Sequence, residues 1–301
     1  MIKLGAFLIG GDGTAIEKLK IVKAAGFDQV CFGIETMELS DKTGLTSDVC
    51  ANVGIEIQHL HLTGSGTNYL WAEGEKGDTI ADRYCKQIEE CHQWGVKRGV
   101  LHALWGTSPA PEPPSNVGLD RFKRIVECAE KNDVILGLEN SVYDHYLCYL
   151  FDNIKSDKLG FCFDSGHHYA FGLDADLFDS YADKLAATHL HDNDCKHDIH
   201  MMPLDGCIDW QAAAKSMAKA PYALESICAE TCGETYCNFR DKTAAEIEAI
   251  FANSEAYKDG LMQFSDGMVR VYEGMTYAEK FERLYKKMRR FADMIEAEAK
   301  A

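Results

Sequence analysis

Six residues of the kinds that bind divalent cations or move protons, His61, His102, Glu139, Asp164, His189 and Glu230, each close a different short apolar run. Imidazole nitrogens and carboxylate oxygens together form the donor set of zinc, manganese and related sites. Glu139 follows Ile135, Leu136, Gly137 and Leu138, and a carboxylate at that point serves no packing purpose. Asp164 follows Phe161, Cys162 and Phe163 and precedes Ser165, Gly166 and His167, so Asp164 and His167 can face one opening. Taken alone, Asp164 reads equally well as a helix N-cap. Between Thr188 and His200 lie four histidines and three aspartates, with His189 and His191 on the same side of a strand. Glu230 closes the run from Ser226 to Ala229, and Glu225 caps or solvates that strand's start.

The elements that must position these residues form a repeat. Short apolar runs at 2–8, 29–35, 55–61, 99–104, 134–139, 159–164, 186–191 and 226–230 read as strands. Amphipathic stretches at 15–25, 79–94, 119–131 and 209–219 read as helices, with Gly26, Gly95 and Asn132 as stops, and 276–300 closes the chain as a long helix. Alternation of this kind predicts a closed (β/α)8 TIM barrel, residues 1–301 as one domain, rather than an open doubly wound sheet. In such a barrel the C-terminal strand ends converge on one mouth, so separate strands supply one site. The segment 231–275 is too long for an ordinary barrel loop, has a helical run at 243–252, and is expected to be a lid or an oligomer contact. Prolines at 109–114 stiffen a loop after the fourth strand, and the glycines at 10–13 make a tight turn capped by Asp12 or Thr14. No lysine and hydroxyl pair follows to make that turn a phosphate cradle.

Composition narrows the function classes. With 301 residues, 46% hydrophobic and 26% charged, the chain is an ordinary folding sequence. Its first ten residues read as a strand rather than a signal peptide, and no apolar run approaches membrane length, so a soluble, cytoplasmic protein is expected. The 12 cysteines are scattered and read mostly as small buried thiols; Cys228, Cys232 and Cys237 lack the second closely spaced pair of a structural zinc site. A net charge of −17 disfavours nucleic acid as a partner. Lys286, Lys287, Arg289 and Arg290 read as a solvated helix face, and His92 and His145 as surface residues.

The ordered series Leu138–Glu139–Asn140, Asp164–Ser165–Gly166–His167, His189–Leu190–His191–Asp192, Asp198–Ile199–His200 with Pro203, then Gly206–Cys207–Ile208–Asp209–Trp210 and Ala229–Glu230–Thr231 resembles the xylose-isomerase-like barrel superfamily. That group includes sugar isomerases and epimerases of the tagatose 3-epimerase kind and, more distantly, apurinic-site nucleases of the endonuclease IV type. The similarity spans most of the chain except 231–275. It implies a divalent ion (Mn, Zn, Co or Mg) held by Glu139, Asp164, His189 and Glu230, and a sugar or sugar phosphate isomerised or epimerised through an enediolate. Glu139 and Glu230 would be the proton-transferring pair, with His167 binding substrate hydroxyls or orienting a carboxylate.

His61, His102, His167, Asp198 and His200 stand in the order of the nuclease branch's further ligands, which implies two or three ions and a phosphodiesterase as the competing reading. A third is a barrel whose metal serves another hydrolytic or structural role. Tyr69, Leu70 and Trp71 are the only candidate wedges for kinked DNA, and they lie among Glu73, Glu75 and Asp78 without an arginine. For a sugar, Trp71, Trp105 and Tyr143 are expected to form an apolar wall. Glu35, at the end of the second strand, is expected either to bond a sugar hydroxyl or to be solvated. The segment 231–275 and the last helix offer surfaces for a homo-oligomer.

Overall fold

A computed structural model describes residues 1–8, 13–38, 44–105, 114–171, 177–231 and 235–301. Of the features expected above, the turn at 10–12, the prolines at 109–113 and Cys232 lie outside the described residues.

Eight parallel strands form the barrel: β1 (Lys3–Phe7), β2 (Gln29–Gly33), β3 (Glu56–His61), β4 (Arg98–His102), β5 (Ile135–Glu139), β6 (Leu159–Asp164), β7 (Leu185–His189) and β8 (Ser226–Ala229). Their order is β7-β6-β5-β4-β3-β2-β1-β8, with helices between them. The seam between β7 and β8 is joined by one parallel bridge, Leu190 to Ala229, instead of a full ladder. Leu190 N–H donates to Cys228 O at 3.0 Å and Glu230 N–H to Leu190 O at 3.1 Å. Thr188 completes the seam with its side chain, whose Oγ1 donates to Cys228 O (3.1 Å) and accepts from Cys228 N–H (2.7 Å).

Helix ends follow local chemistry. Thr14 and Glu17 form a reciprocal capping box on the helix Ala15–Ala25, which stops at Gly26 with φ of 114°. There a Cβ would lie 2.8 Å from the Tyr285 ring, so both the turn and the close approach require glycine. The helix expected from 79 starts a turn earlier, as Glu75–Gln93. The next, Asn116–Asn132, is stopped by Asp133 at φ 53° rather than by Asn132. β2 ends at Gly33, so Glu35 sits in a short helix, Ile34–Glu38, and not on a strand.

Outside the strands a continuous apolar core packs against the helices. Inside, small residues fill the barrel: a Cβ on Gly5 would lie 3.1 Å from Cys228 Sγ, and Val100, Cys162 and Ala187 form a separate apolar cluster. Below them Gln29, Gln58 and Ser226 are buried polar residues. Free thiols at Cys31, Cys50, Cys91, Cys162, Cys228 and Cys237 are buried as expected. Cys85 and Cys128 instead form a disulfide joining the helices Glu75–Gln93 and Asn116–Asn132. Among the described residues no cysteine belongs to a metal-competent group.

Within 231–275 a three-stranded antiparallel sheet, β9 (Thr235–Asn238), β10 (Met262–Ser265) and β11 (Met268–Val271), accompanies the helices Ala244–Phe251 and Glu255–Lys258. This segment shares the barrel's apolar core through residues such as Phe239, Phe251 and Val269, and adds a buried ionic contact. Asp205, fully buried, accepts from Tyr272 Oη (2.9 Å) and Arg283 Nε (2.9 Å) and pairs with Lys287 Nζ (2.7 Å). Lys287 also pairs with Glu255. The basic stripe of the final helix, Tyr277–Glu298, is therefore not simply a solvated face: Lys286 and Arg290 are exposed, but Lys287 is buried, its lost hydration compensated by Asp205, Glu255 and the Leu204 carbonyl. Among the described residues no helix is long and apolar enough to cross a membrane.

Candidate metal centre and pocket

All nine expected donors meet at the C-terminal ends of the strands. Glu139, 3% exposed, is the hub. Its Oε2 lies 3.2 Å from His61 Nε2, 3.5 Å from His102 Nε2 and 3.2 Å from His189 Nδ1, and its Oε1 lies 3.3 Å from His167 Nδ1. Glu230 Oε2 approaches His189 Nδ1 at 2.9 Å. One donor atom from each of Glu139, Asp164, His189 and Glu230 lies within 4.8 Å of the others. Two further groups of the same compactness adjoin them: His61 with Glu139 and His189, and His191 with Asp198 and His200.

The donor set fits a divalent cation. Three largely buried carboxylates converging on one point need positive charge to offset their desolvation and repulsion. His189 Nδ1 is buried among them, 3.2 Å from Glu139 and 2.9 Å from Glu230, where an imidazole nitrogen can join the set.

Asp164 is the helix N-cap that one reading of the sequence expected, and it also faces the donor cluster. Oδ1 caps the helix Ser165–Ala170 by accepting from His167 N–H (2.6 Å), while Oδ2 faces His191 Nε2 at 3.2 Å. Asn140 fixes it, accepting from Asp164 N–H (2.7 Å) and donating to Asp164 O (2.9 Å). A Cβ on Gly166 would overlap the His191 ring, so that glycine makes room for the imidazole. The loop carrying Asp198 and His200 is tied down by buried Asp192, which accepts from Asn193 N–H (2.8 Å), Ile208 N–H (3.0 Å) and Trp210 Nε1–H (2.6 Å). It delivers Asp198 to His200 (3.2 Å) and His167 (3.4 Å), and stacks His200 on His191 at 3.9 Å.

Burial alone would raise the Glu139 carboxyl, but His102, His189 and His167 outweigh it and hold it well below its usual range. Glu230 is likewise lowered, burial being overcome by His189 and His200. Burial opposes protonation of His167, yet Asp164, Asp198 and Glu139 carry it well above the ordinary imidazole value. His102, where burial dominates over the pull of Glu139, falls to about 4. The centre thus combines ionised carboxylates with protonated and neutral imidazoles, ready to exchange protons over short distances.

A pocket of about 440 Å3 opens over Glu139 and Glu230, with Trp105, Val142 and Phe171 as its apolar walls. Trp105, 48% exposed, is held rigid by Asn68, which accepts from its backbone N–H (2.8 Å) and donates to its O (3.0 Å). Its ring lies edge-on to His102 at 4.6 Å. Two aromatic expectations, for Trp71 and Tyr143, need correction. Trp71 is a core residue, donating from Nε1 to Ala103 O (2.7 Å) and packing on Phe122 and Tyr146. Leu70 is also buried, which leaves Tyr69 as the one exposed side chain of the supposed wedge. Tyr143 does not line the pocket; Glu35 is exposed, as its solvated reading expected, and accepts from Thr63 Oγ1 at 2.5 Å.

Sequence reasoning passed over Phe171 and His59. Phe171 stacks on His167 from one helical turn away, a spacing that was visible. His59 lies two residues before His61 on β3, the strand period, and its Nε2 touches His189 Nε2 at 2.9 Å.

Residues 19–253 match the family model described as Xylose isomerase-like TIM barrel. A relative from Sinorhizobium fredii (strain NBRC 101917 / NGR234), "Uncharacterized protein y4fM", is 36% identical over 244 residues, 68% of this chain and 77% of its own. Among solved structures, an IolI protein with a bound zinc atom aligns with a TM-score of 0.69 at 16% identity, covering 98% of this chain and 99% of that one. A D-psicose 3-epimerase from Clostridium cellulolyticum H10, solved with D-tagatose, aligns with a TM-score of 0.65 at 11% identity, covering 99% of each chain. At these identities the two structures establish a shared fold.

Proposed function

The chain belongs to the xylose isomerase-like TIM-barrel family, and from that premise we propose that it is a divalent-metal-dependent sugar isomerase or epimerase. The observation that carries this reading is the convergence of Glu139, Asp164, His189 and Glu230, with the two glutamates lining a pocket sized for a monosaccharide. A structural neighbour named as a D-psicose 3-epimerase, solved with D-tagatose, supports a sugar as the substrate.

Glu139, Asp164, His189 and Glu230 would hold the ion, which would supply Lewis-acid stabilisation of negative charge developing on the sugar's oxygens. Glu139 and Glu230, from β5 and the end of β8, flank the substrate and act as the base and the returning acid. Both carboxyls are held low, so both begin as bases. The proton to be returned is supplied by His167, kept protonated 3.3 Å from Glu139. Trp105 and Phe171 offer apolar faces to the sugar's C–H edges and keep water from the reacting carbon.

The test is exchange of a carbon-bound sugar proton with deuterated water, followed by NMR after addition of manganese, cobalt or zinc. Glu230→Gln should abolish it, and absence of exchange across the common ketoses and aldoses would sink the proposal. The donor groups of His61 and of His191, Asp198 and His200 favour a second reading, hydrolysis of a phosphodiester at two or three ions. Metal analysis separates the two: one ion per chain supports the isomerase, and three ions together with cleavage of an abasic duplex support the hydrolase.

A further inference from the structure

Barrel interiors of this fold are ordinarily filled by layers of branched apolar side chains. Here a hydrogen-bonded file runs from the N-terminal end of the barrel up to His189. It starts at Glu56, whose carboxylate pairs with Lys3 Nζ at 2.8 Å and is an acceptor only. That fixes the neighbouring amide: Gln29 Nε2 donates to Glu56 Oε2 (3.1 Å), which leaves Gln29 Oε1 as an acceptor. Gln29 Oε1 receives Ser226 Oγ at 2.5 Å and Gln58 Nε2 at 3.3 Å. Gln58 Nε2 also donates to Ser226 Oγ (2.5 Å), so the amide nitrogen of Gln58 is committed and its Oε1 must face His59 Nδ1, 2.8 Å away. His59 Nδ1 therefore carries hydrogen. The ring is fully buried with no carboxylate paired to it, and as a neutral imidazole it presents a bare Nε2. His189 Nε2, at 2.9 Å, must donate to that nitrogen.

We propose that His59 is a positioning residue for the metal centre: by accepting the Nε2–H of His189 it commits that ring to present Nδ1 as the ligand atom, through a polar file anchored at the opposite end of the barrel. The backbone is built for this. In the β2–β3 ladder Val30 pairs with Ile57 and Cys31 with His59, so Gln58 is an extra residue in β3. A bulge of this kind turns two consecutive side chains to the same face, which a regular strand forbids. Gln58 and His59 are accordingly both buried inside the barrel. Hydrogen bonds from outer residues set the tautomer and orientation of ligating histidines in general, and their loss typically costs 10- to 100-fold in metal affinity.

The inference rests on the metal reading above and is tested separately from it. In zinc-loaded protein labelled with 15N-histidine, long-range proton–nitrogen NMR should find the His59 proton on Nδ1 and the His189 proton on Nε2. A proton on His59 Nε2 overturns the proposal, and this measurement needs no variant to fold. By competition with a chromophoric chelator, His59→Leu should bind zinc roughly 10- to 100-fold more weakly. His59→Gln, which keeps an oxygen acceptor near the same place, should stay within several-fold of the wild type. Equal affinity of wild type and His59→Leu, or a His59→Gln as weak as His59→Leu, overturns it. Absence of zinc binding by the wild type sinks the metal reading and this proposal with it. Absence of sugar proton exchange in a protein that passes these tests sinks the isomerase reading alone.

Discussion

Asp144 opens the helix behind the pocket wall, and burial raises its carboxyl from 3.8 to about 7. Its Oδ1 accepts from Ser141 N–H at 2.9 Å, while Oδ2 is buried without a hydrogen bond. Because the folded value is raised above the unfolded one, the folded state holds an extra proton between those limits. The contribution is fully present below pH 3.8 and is lost as pH rises through about 7. A gap of about three units corresponds to roughly 4 kcal/mol of stability lost across that window. Asp144→Asn keeps the Ser141 contact and carries no charge, at the expense of an unpartnered amide of roughly 1 kcal/mol. The variant should therefore be slightly less stable than the wild type at pH 4 and more stable, by roughly 3 kcal/mol, at pH 8. In a chain of this size that is about 5 °C in the thermal midpoint. Melting both proteins in parallel across pH 4 to 8 should show two crossing curves. Parallel curves would refute the claim that the buried carboxyl of Asp144 is the source of the effect.

Burial disfavours a charged His189, but Cys162, Glu139 and Glu230 carry its value well above 6.5, so above that pH the metal-free ring still holds a proton that a ligating nitrogen must lose. Zinc affinity should accordingly rise about tenfold per pH unit from pH 6.5 upward; a flat dependence contradicts it. Asp192→Ala strands three donors in a buried loop and should cost about 2–4 kcal/mol. Hydrogen exchange should also quicken across 193–209, whereas unchanged protection would show that Asp192 does not hold the loop. Gly166→Ala must displace the His191 ring and with it His200, so any second ion should be lost first on metal titration; a titration identical to wild type would contradict this. Trp105→Ala removes an exposed wall that touches none of Glu139, Asp164, His189 and Glu230, and should raise KM for the sugar more than it lowers kcat.

The strand-terminal acids and histidines were legible because a parallel barrel gathers C-terminal strand ends by topology alone. Glu139, Asp164, His189 and Glu230 needed only the strand pattern to be placed together. The strand boundary at Glu35 was not legible: β2 stops two residues before it, and the carboxylate sits exposed on a short helix, as its solvated reading expected. Trp71 and Lys287 failed because their surroundings come from distant segments. Trp71 meets Ala103 and Phe122, and Lys287 meets Asp205 and Glu255, contacts that no local periodicity encodes. The bulge at Gln58 escaped for another reason. Register is a property of two strands, and neither β2 nor β3 alone shows that one residue is extra.

The β7–β8 seam has a mechanical consequence. His189 and Glu230 stand on opposite lips of the least laddered joint in the barrel, which Thr188 and a single bridge hold closed. An ion bound by both residues is a clasp across that joint, so the force that opens the barrel there and the force that ejects the ion act along one coordinate. Loss of such an ion would loosen the wall, and strain in the wall would loosen the ion.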